Sequence, residues 1–204
     1  MHFGYLYDEI NKEIYIQQLR QEAVTLASVI RSYLKNVSVI MEIGLREGGN
    51  LTFLSTALFT QFTESIAIGI EPEWEMPFDA QKVAKQIAPA TFHHIKADSH
   101  LLTTRQQVMD ILAGRMIDVL VLDGDHTRAG VQLDDEMYSP FLSRPGVKVV
   151  HDINMSKYVV KGVDYGLEQR DTVVGYWKDV LSKQYPNVAI SAASDLCGIG
   201  VVLL

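Results

Sequence analysis

The sequence predicts an α/β domain built on a doubly wound, mostly parallel sheet. Three observations point to it. Short β-branched runs alternate along the chain with longer stretches of helical periodicity. The first of these runs, residues 37–43, passes through Gly44, Gly48 and Gly49 directly into an apolar helical stretch, 51–59. Strand, glycine turn and helix in that order present backbone N–H groups to a ligand at the carboxyl edge of a sheet. Several later runs also end on acids, and 204 residues suffice for one domain with a substantial core.

The elements follow in order. Residues 8–35 carry an apolar stripe (Ile10, Ile14, Leu19, Ala23, Leu26, Ile30, Leu34) and read as one N-terminal helix, with Gln17, Gln18, Arg20 and Gln21 as its solvated face. After the first strand and its helix, residues 65–71 form a second short apolar strand ending on Glu71. A carboxylate there is placed to accept both hydroxyls of a ribose. Residues 72–79 form a proline-containing loop in which Trp74 either stacks on a ligand or caps the core. Residues 79–87 read as a helix and 90–96 as the third strand, where the adjacent His93 and His94 point to opposite faces. Asp98 or Ser99 then starts a helix near Leu101 or takes part in a ligand site.

The fourth strand begins at Ile117 and ends in the densest polar stretch of the chain, Leu122-Asp-Gly-Asp-His126. Asp118, at the strand's start, reads as structural. Asp123, Asp125 and His126 crowd one glycine turn, which is costly unless they hold a cation or handle protons. Asp134, Asp135 and Glu136, on the next helix, are expected to face solvent. Pro145-Gly146 turns into the fifth strand, 147–154, which again ends in polar groups: His151, Asp152 and Asn154. Oxygen ligands from two neighbouring strand tips suit Mg²⁺ or a similar hard cation.

The pattern Glu42-x-Gly44-x-x-x-Gly48 resembles motif I of the class I S-adenosylmethionine (SAM)-dependent methyltransferases. The tips Leu-Asp-Gly-Asp-His and Val-Val-His-Asp-Ile resemble one branch of that family in particular. It contains the small-molecule O-methyltransferases related to macrolide- and aminocoumarin-sugar methyltransferases, and the cephalosporin-hydroxylase-like proteins. The resemblance extends over about residues 15–204, through the aromatic-rich helix 173–177 to the closing hairpin of 187–191 with 196–204. It implies a Rossmann-like seven-stranded sheet, mostly parallel with an antiparallel last strand and preceded by an N-terminal helix. Residues 1–36 would be a helical extension packed on the core, and 37–204 the SAM-binding domain, a single domain overall. Glu42, Gly44, Gly48, Asn50, Glu71, Asp98, Ser99 and Asp123 would bind the cofactor, with Asp98 near the adenine amino group. Asp123 and Asp152 would hold a metal such as Mg²⁺, and His126, Asp125 or His151 would take the acceptor's proton. Several relatives carry two adjacent acids where this chain has His151-Asp152.

Composition narrows the partners. A net charge of −7 without a basic cluster gives no electrostatic reason to expect nucleic acid or an anionic membrane. No apolar run approaches the roughly 20 residues of a spanning helix, and no signal peptide is visible, so a cytoplasmic protein is expected. The single cysteine, Cys197, excludes an internal disulfide and reads as a buried, inert thiol. The expected partner is a small-molecule acceptor, with the apolar face of the N-terminal helix offered to a homo-oligomer. Residues 155–175, with Gly162, Gly166 and Gly175, read as a cover over the acceptor. Two other functions stay open: a non-haem iron enzyme using His126, His151 and Asp123, and a SAM-binding module that transfers nothing.

Overall fold

The structure is a computed structural model that describes residues 2–72, 79–155, 159–160, 163–164, 166–192 and 198–204. Trp74, Gly162 and Cys197 lie outside the described residues. Seven strands form the central sheet: β1 (Val39–Ile43), β2 (Ile66–Ile70), β3 (Thr91–Ile95), β4 (Ile117–Leu122), β5 (Leu142–His151), β8 (Asn187–Ile190) and β9 (Ile199–Leu203). A short ribbon of β6 (Val159–Val160) and β7 (Val163–Asp164) stands apart from it. The sheet order is β3-β2-β1-β4-β5-β9-β8. Pairing is parallel from β3 to β5, and β9 runs antiparallel to both β5 and β8. The order reverses between β1 and β4, which opens a switch point at their carboxyl tips.

The first strand shows why the sheet forms here. All five residues of Val39–Ile43 are buried, as a strand covered on both faces requires. Val39, Met41 and Ile43 pack toward the side of α5 (Leu102–Leu112) and α6 (Arg128–Tyr138); Ile40 faces α2 (Arg20–Tyr33) and α3 (Gly49–Leu58). Glu42 shares the face of Ile40, which aims a carboxyl group at α3. Asp118 at the foot of β4 accepts the backbone N–H groups of Ser38 (2.7 Å) and Val39 (2.9 Å), a structural role that fits its position at the start of the strand. α4 (Ala80–Ile87) is capped by Asp79, which accepts from the N–H groups of Gln81 and Lys82.

Three expectations are corrected. The single N-terminal helix is two: α1 (Phe3–Glu13) and α2, because the chain turns extended at Ile14 and the Asn11 side chain accepts the Ile16 N–H at 2.8 Å. The fifth strand starts earlier than residue 147, at Leu142, and shifts register against β4 before Val147. Asp134 and Asp135 are buried, not solvated. Asp135 pairs with the buried Lys148 of β5 and accepts from Tyr176 Oη (2.7 Å) and the Ser139 hydroxyl. Tyr176 belongs to α7 (Val173–Tyr176), which continues through a π-helical turn, Trp177–Leu181, into α8 (Ser182–Gln184). No helix among the described residues is long and apolar enough to cross a membrane.

Candidate active site

The glycine turn is built on close backbone approach. Gly44 has φ +84°, and a Cβ there would lie 2.0 Å from the carbonyl oxygen of Asp123, so only glycine lets the tips of β1 and β4 meet. Gly48 precedes the first turn of α3, and the Gly48 N–H closes the loop onto the Leu45 carbonyl at 2.8 Å. Arg46, at φ +47°, turns its backbone N–H to Glu71 Oε2 at 3.0 Å. The acid at the tip of β2 thereby reaches back over the turn after β1.

Buried acceptors gather around this turn. Asn50 Nδ2 donates to Glu42 Oε1 at 2.6 Å. Glu42 Oε2, Asn50 Oδ1 and Glu71 Oε1 are buried with no partner in the protein. Burial pushes the Glu42 carboxyl up to about 8, against the opposing Asn50 hydrogen bond, so the group is largely protonated at neutral pH. Burial also raises Glu71, with the Arg46 amide working in the other direction. Leaving a buried polar group unpaired costs about 1–3 kcal/mol, so Asn50 Oδ1 and Glu71 Oε1 mark a surface shaped for a donor-bearing ligand, with the protonated Glu42 carboxyl beside them.

The tips of β4 and β5 are built differently. Asp123 Oδ1 lies 3.2 Å from His126 Nε2 and 3.2 Å from His151 Nδ1. Asp152, in the left-handed region at φ +61°, places Oδ2 3.2 Å from His126 Nδ1 and Oδ1 3.1 Å from His151 Nδ1. Two carboxylates and two imidazoles thus form a closed square. Burial alone would lower both histidines, but the two acids outweigh it and hold both above their usual range. Burial likewise opposes ionisation of Asp123 and Asp152, and the histidines overcome it, holding both acids below the usual carboxylate range. In the square each acid faces both imidazoles, and each imidazole faces both acids. Ligand atoms of Asp123, His126 and Asp152 all lie within 4.8 Å of one another, close enough to hold one metal ion. His151 Nε2 is buried and unpartnered.

The structure therefore gathers Glu42, Gly44, Gly48, Asn50 and Glu71 at one end of the carboxyl edge and Asp123, His126, His151 and Asp152 at the other. Asp125 does not join the square. Its Oδ1 accepts the Thr127 N–H at 2.8 Å, and its carboxyl group lies against Gly130, where it shapes the start of α6. Asp98 is exposed and accepts the His100 N–H at 2.9 Å, while the cap position of α5 falls to Leu101. Ser99 is buried; its carbonyl accepts from Tyr138 Oη at 2.6 Å. Asp134 Oδ1 lies 3.3 Å from His100 Nε2 beneath this turn, and burial pushes Asp134 up to about 6 despite its hydrogen bond with Ser99.

One residue of the site has no sequence signal. Gln18, between α1 and α2, is 4% exposed, and its Nε2 donates to Asp123 Oδ2 at 3.1 Å. The expected solvated face therefore loses this residue. Tyr7 Oη donates to the Gln18 carbonyl at 2.8 Å, and the Tyr15 carbonyl lies 2.1 Å from where a Gly49 Cβ would stand. The link between α1 and α2 is a strap seated on the glycine turn. A cleft of about 700 Å³ lies away from this site at the amino ends of the strands, lined by Ser38, Glu64, Thr91 and Arg115 among others. It holds none of the chemistry above.

Comparison with known proteins adds the family. A family model described as a methyltransferase domain matches residues 41–153. No curated protein matches the sequence significantly. Solved structures of the same fold include an O-methyltransferase from Bacillus cereus in complex with SAH (TM-score 0.68, 12% identity, covering 98% of this chain and 91% of that one). TomG, an O-methyltransferase from Streptomyces achromogenes involved in tomaymycin synthesis, was solved with SAM (TM-score 0.62, 15% identity, covering 100% and 90%). MycE, from the mycinamycin biosynthetic pathway, was solved with Mg, SAH and mycinamycin VI (TM-score 0.63, 14% identity); all of this chain aligns to about half of MycE, 53%.

Proposed function

The chain belongs to the methyltransferase-domain family, and from that premise we propose that it is a SAM-dependent O-methyltransferase acting on a hydroxyl of a small molecule, assisted by a divalent cation. One observation carries the cofactor assignment: Glu42, Asn50 and Glu71 leave buried, unpaired oxygens around the glycine turn. SAM brings the complementary donors, two ribose hydroxyls and an α-ammonium. Glu71, at the tip of β2, takes the ribose. Glu42 stands at the opposite side of the turn, and a cation there favours its ionised form. Ser99 and Asp98 border the adenine end. Residues 1–36 act as part of this site, beside the SAM-binding core of 37–204.

When bound, SAM supplies an electrophilic methyl group and a divalent cation supplies Lewis acidity to the acceptor oxygen. The protein's work is positioning and proton handling, since in-line displacement needs acceptor and methyl at near-contact distance. Asp123 and Asp152 are the oxygen donors for a hard cation such as Mg²⁺, and a softer ion would also take His126 nitrogen. A cation held by Asp123 and Asp152 would offset the acid charges that raise both histidines, and His126 would serve as the base for the acceptor proton, with His151 behind it. Asp125 is committed to the start of α6 and is given no proton. The negative charge and the absence of a basic cluster support a small-molecule acceptor over nucleic acid.

Two rival readings remain distinguishable. A 2-His-1-carboxylate iron site would need His126, His151 and Asp123 to face one ion, yet His151 Nδ1 already lies 3.1 Å from Asp152. Incubation with methyl-labelled SAM, Mg²⁺ and a panel of sugar, phenol and carboxylate acceptors tests the proposal. Acceptor-dependent formation of S-adenosylhomocysteine (SAH) supports it. Tight SAM binding without turnover on any acceptor points to a binding module, and iron in anaerobically purified protein without SAM affinity points to the oxygenase.

A further inference from the structure

Gln18 does more than brace Asp123. An ionised carboxylate only accepts hydrogen bonds, so Gln18 presents its NH₂ to Asp123 and turns its carbonyl away. That carbonyl oxygen, Oε1, is buried and has no partner in the protein. An amide carbonyl can only accept, so the missing partner is a donor. The backbone around Gln18 is held on both sides, by Tyr7 Oη on its own carbonyl and by the Asn11 side chain on the Ile16 N–H. The orphan oxygen is therefore a fixed feature of the strap, at the junction of β1 and β4.

Sheet order says which part of a ligand lies there. Glu71, the acid suited to a ribose, stands on β2, and the turn holding Ser99 follows β3, so a nucleoside occupies the β2–β3 side. Asp123 and Gln18 lie across β1 on the β4 side, where the remainder of the ligand extends. Resting on the SAM assignment above, we propose that Gln18 is a cofactor-contacting residue whose Oε1 accepts the α-ammonium of SAM and whose strap, residues 14–19, covers the cofactor's amino-acid half. The amide dipole points the negative end of Gln18 toward the ammonium while Asp123 remains tied to its NH₂.

The test compares two ligands that share the thioether nucleoside and differ in the amino-acid half: SAH and 5′-methylthioadenosine. Calorimetry on wild type, Gln18→Met and Gln18→Leu gives both dissociation constants, and melting of the unliganded variants checks folding. Either variant suffices if the other does not fold. Losing a buried hydrogen bond to a charged group should weaken SAH by roughly 10- to 100-fold, with 5′-methylthioadenosine unchanged within about twofold. Equal loss for both ligands, or no loss for SAH, overturns the assignment. If wild type binds neither ligand, the SAM reading itself fails and takes this inference with it.

Discussion

The two ends of the carboxyl edge handle their polar groups in opposite ways. Around the β1–β2 tips, Glu42, Asn50 and Glu71 each leave an oxygen buried and unpaired. Around the β4–β5 tips, Asp123, Asp152, His126 and His151 pair with one another through four contacts of 3.1–3.2 Å, which leave His151 Nε2 as the unpaired atom of the square. The first end leaves polar oxygens unpaired, and a hydrogen-bonding ligand relieves them. The second end pairs its charged groups internally, and a cation there would compete with the imidazoles for Asp123 and Asp152. Metal affinity should therefore rise with pH.

The largest expected effect separates chemistry from binding. His126→Ala should lower methyl transfer by about 10²- to 10⁴-fold, the range of a positioned general base, with SAM affinity nearly unchanged. A fully active variant would remove His126 from the mechanism. Next comes Glu71→Ala, expected to weaken SAM by about 10- to 100-fold through two lost hydrogen bonds to a carboxylate. Its unliganded melting temperature should change little, because the unpaired Oε1 is removed together with the Oε2 that accepts the Arg46 N–H. A large destabilisation of the free protein would mean that Glu71 is structural and would blur the contrast between the two ends.

The smaller effects are pH-dependent. Both histidines are raised in the folded protein, so their contribution to stability is complete below the unfolded value near 6.5 and is lost as pH climbs through the folded values. Metal-free protein should lose stability across that alkaline window, and Mg²⁺ added at its upper end should restore part of it. In Asp152→Asn both the slope and the Mg²⁺ response should shrink. Glu42 contributes in the same direction at the other end. Its carboxyl rises from 4.5 to about 8, so the native state binds the extra proton between those values and stability falls as pH increases across them. Glu42→Gln should flatten that part of the melting profile, and an unchanged slope would show that Glu42 is ionised in the free protein.

Much of this was legible in the sequence, for reasons that explain what was not. Strand 39–43 and its glycine turn announce themselves because β-branching, glycine spacing and helical periodicity are all local. The tips of β4 and β5 were visible because acids and histidines rarely end apolar strands without a task. Gln18 was not visible: it sits in a polar run, and its partner Asp123 is 105 residues away. Asp134 and Asp135 were misread because adjacent helical residues do not share a face, which usually means that at least one is solvated. Here α6 is wedged between two partners, His100 on one side and Lys148 on the other. One signal could have exposed the second pair. Lys148 interrupts the apolar run Val147-Lys-Val-Val150, and a lysine inside a buried strand requires a carboxylate opposite it. The break between α1 and α2 escaped because the apolar stripe runs through it without interruption, and only the Asn11 side chain reaching Ile16 marks the turn.

The most direct test is calorimetric titration of SAH into metal-stripped protein, repeated with Mg²⁺ and with Glu71→Ala. Micromolar binding that survives removal of metal and falls in Glu71→Ala would establish the acceptor surface as a preformed cofactor site, independent of the square beside it. No binding under any of these conditions would contradict the cofactor assignment, and with it the reading of this site as a methyltransferase centre.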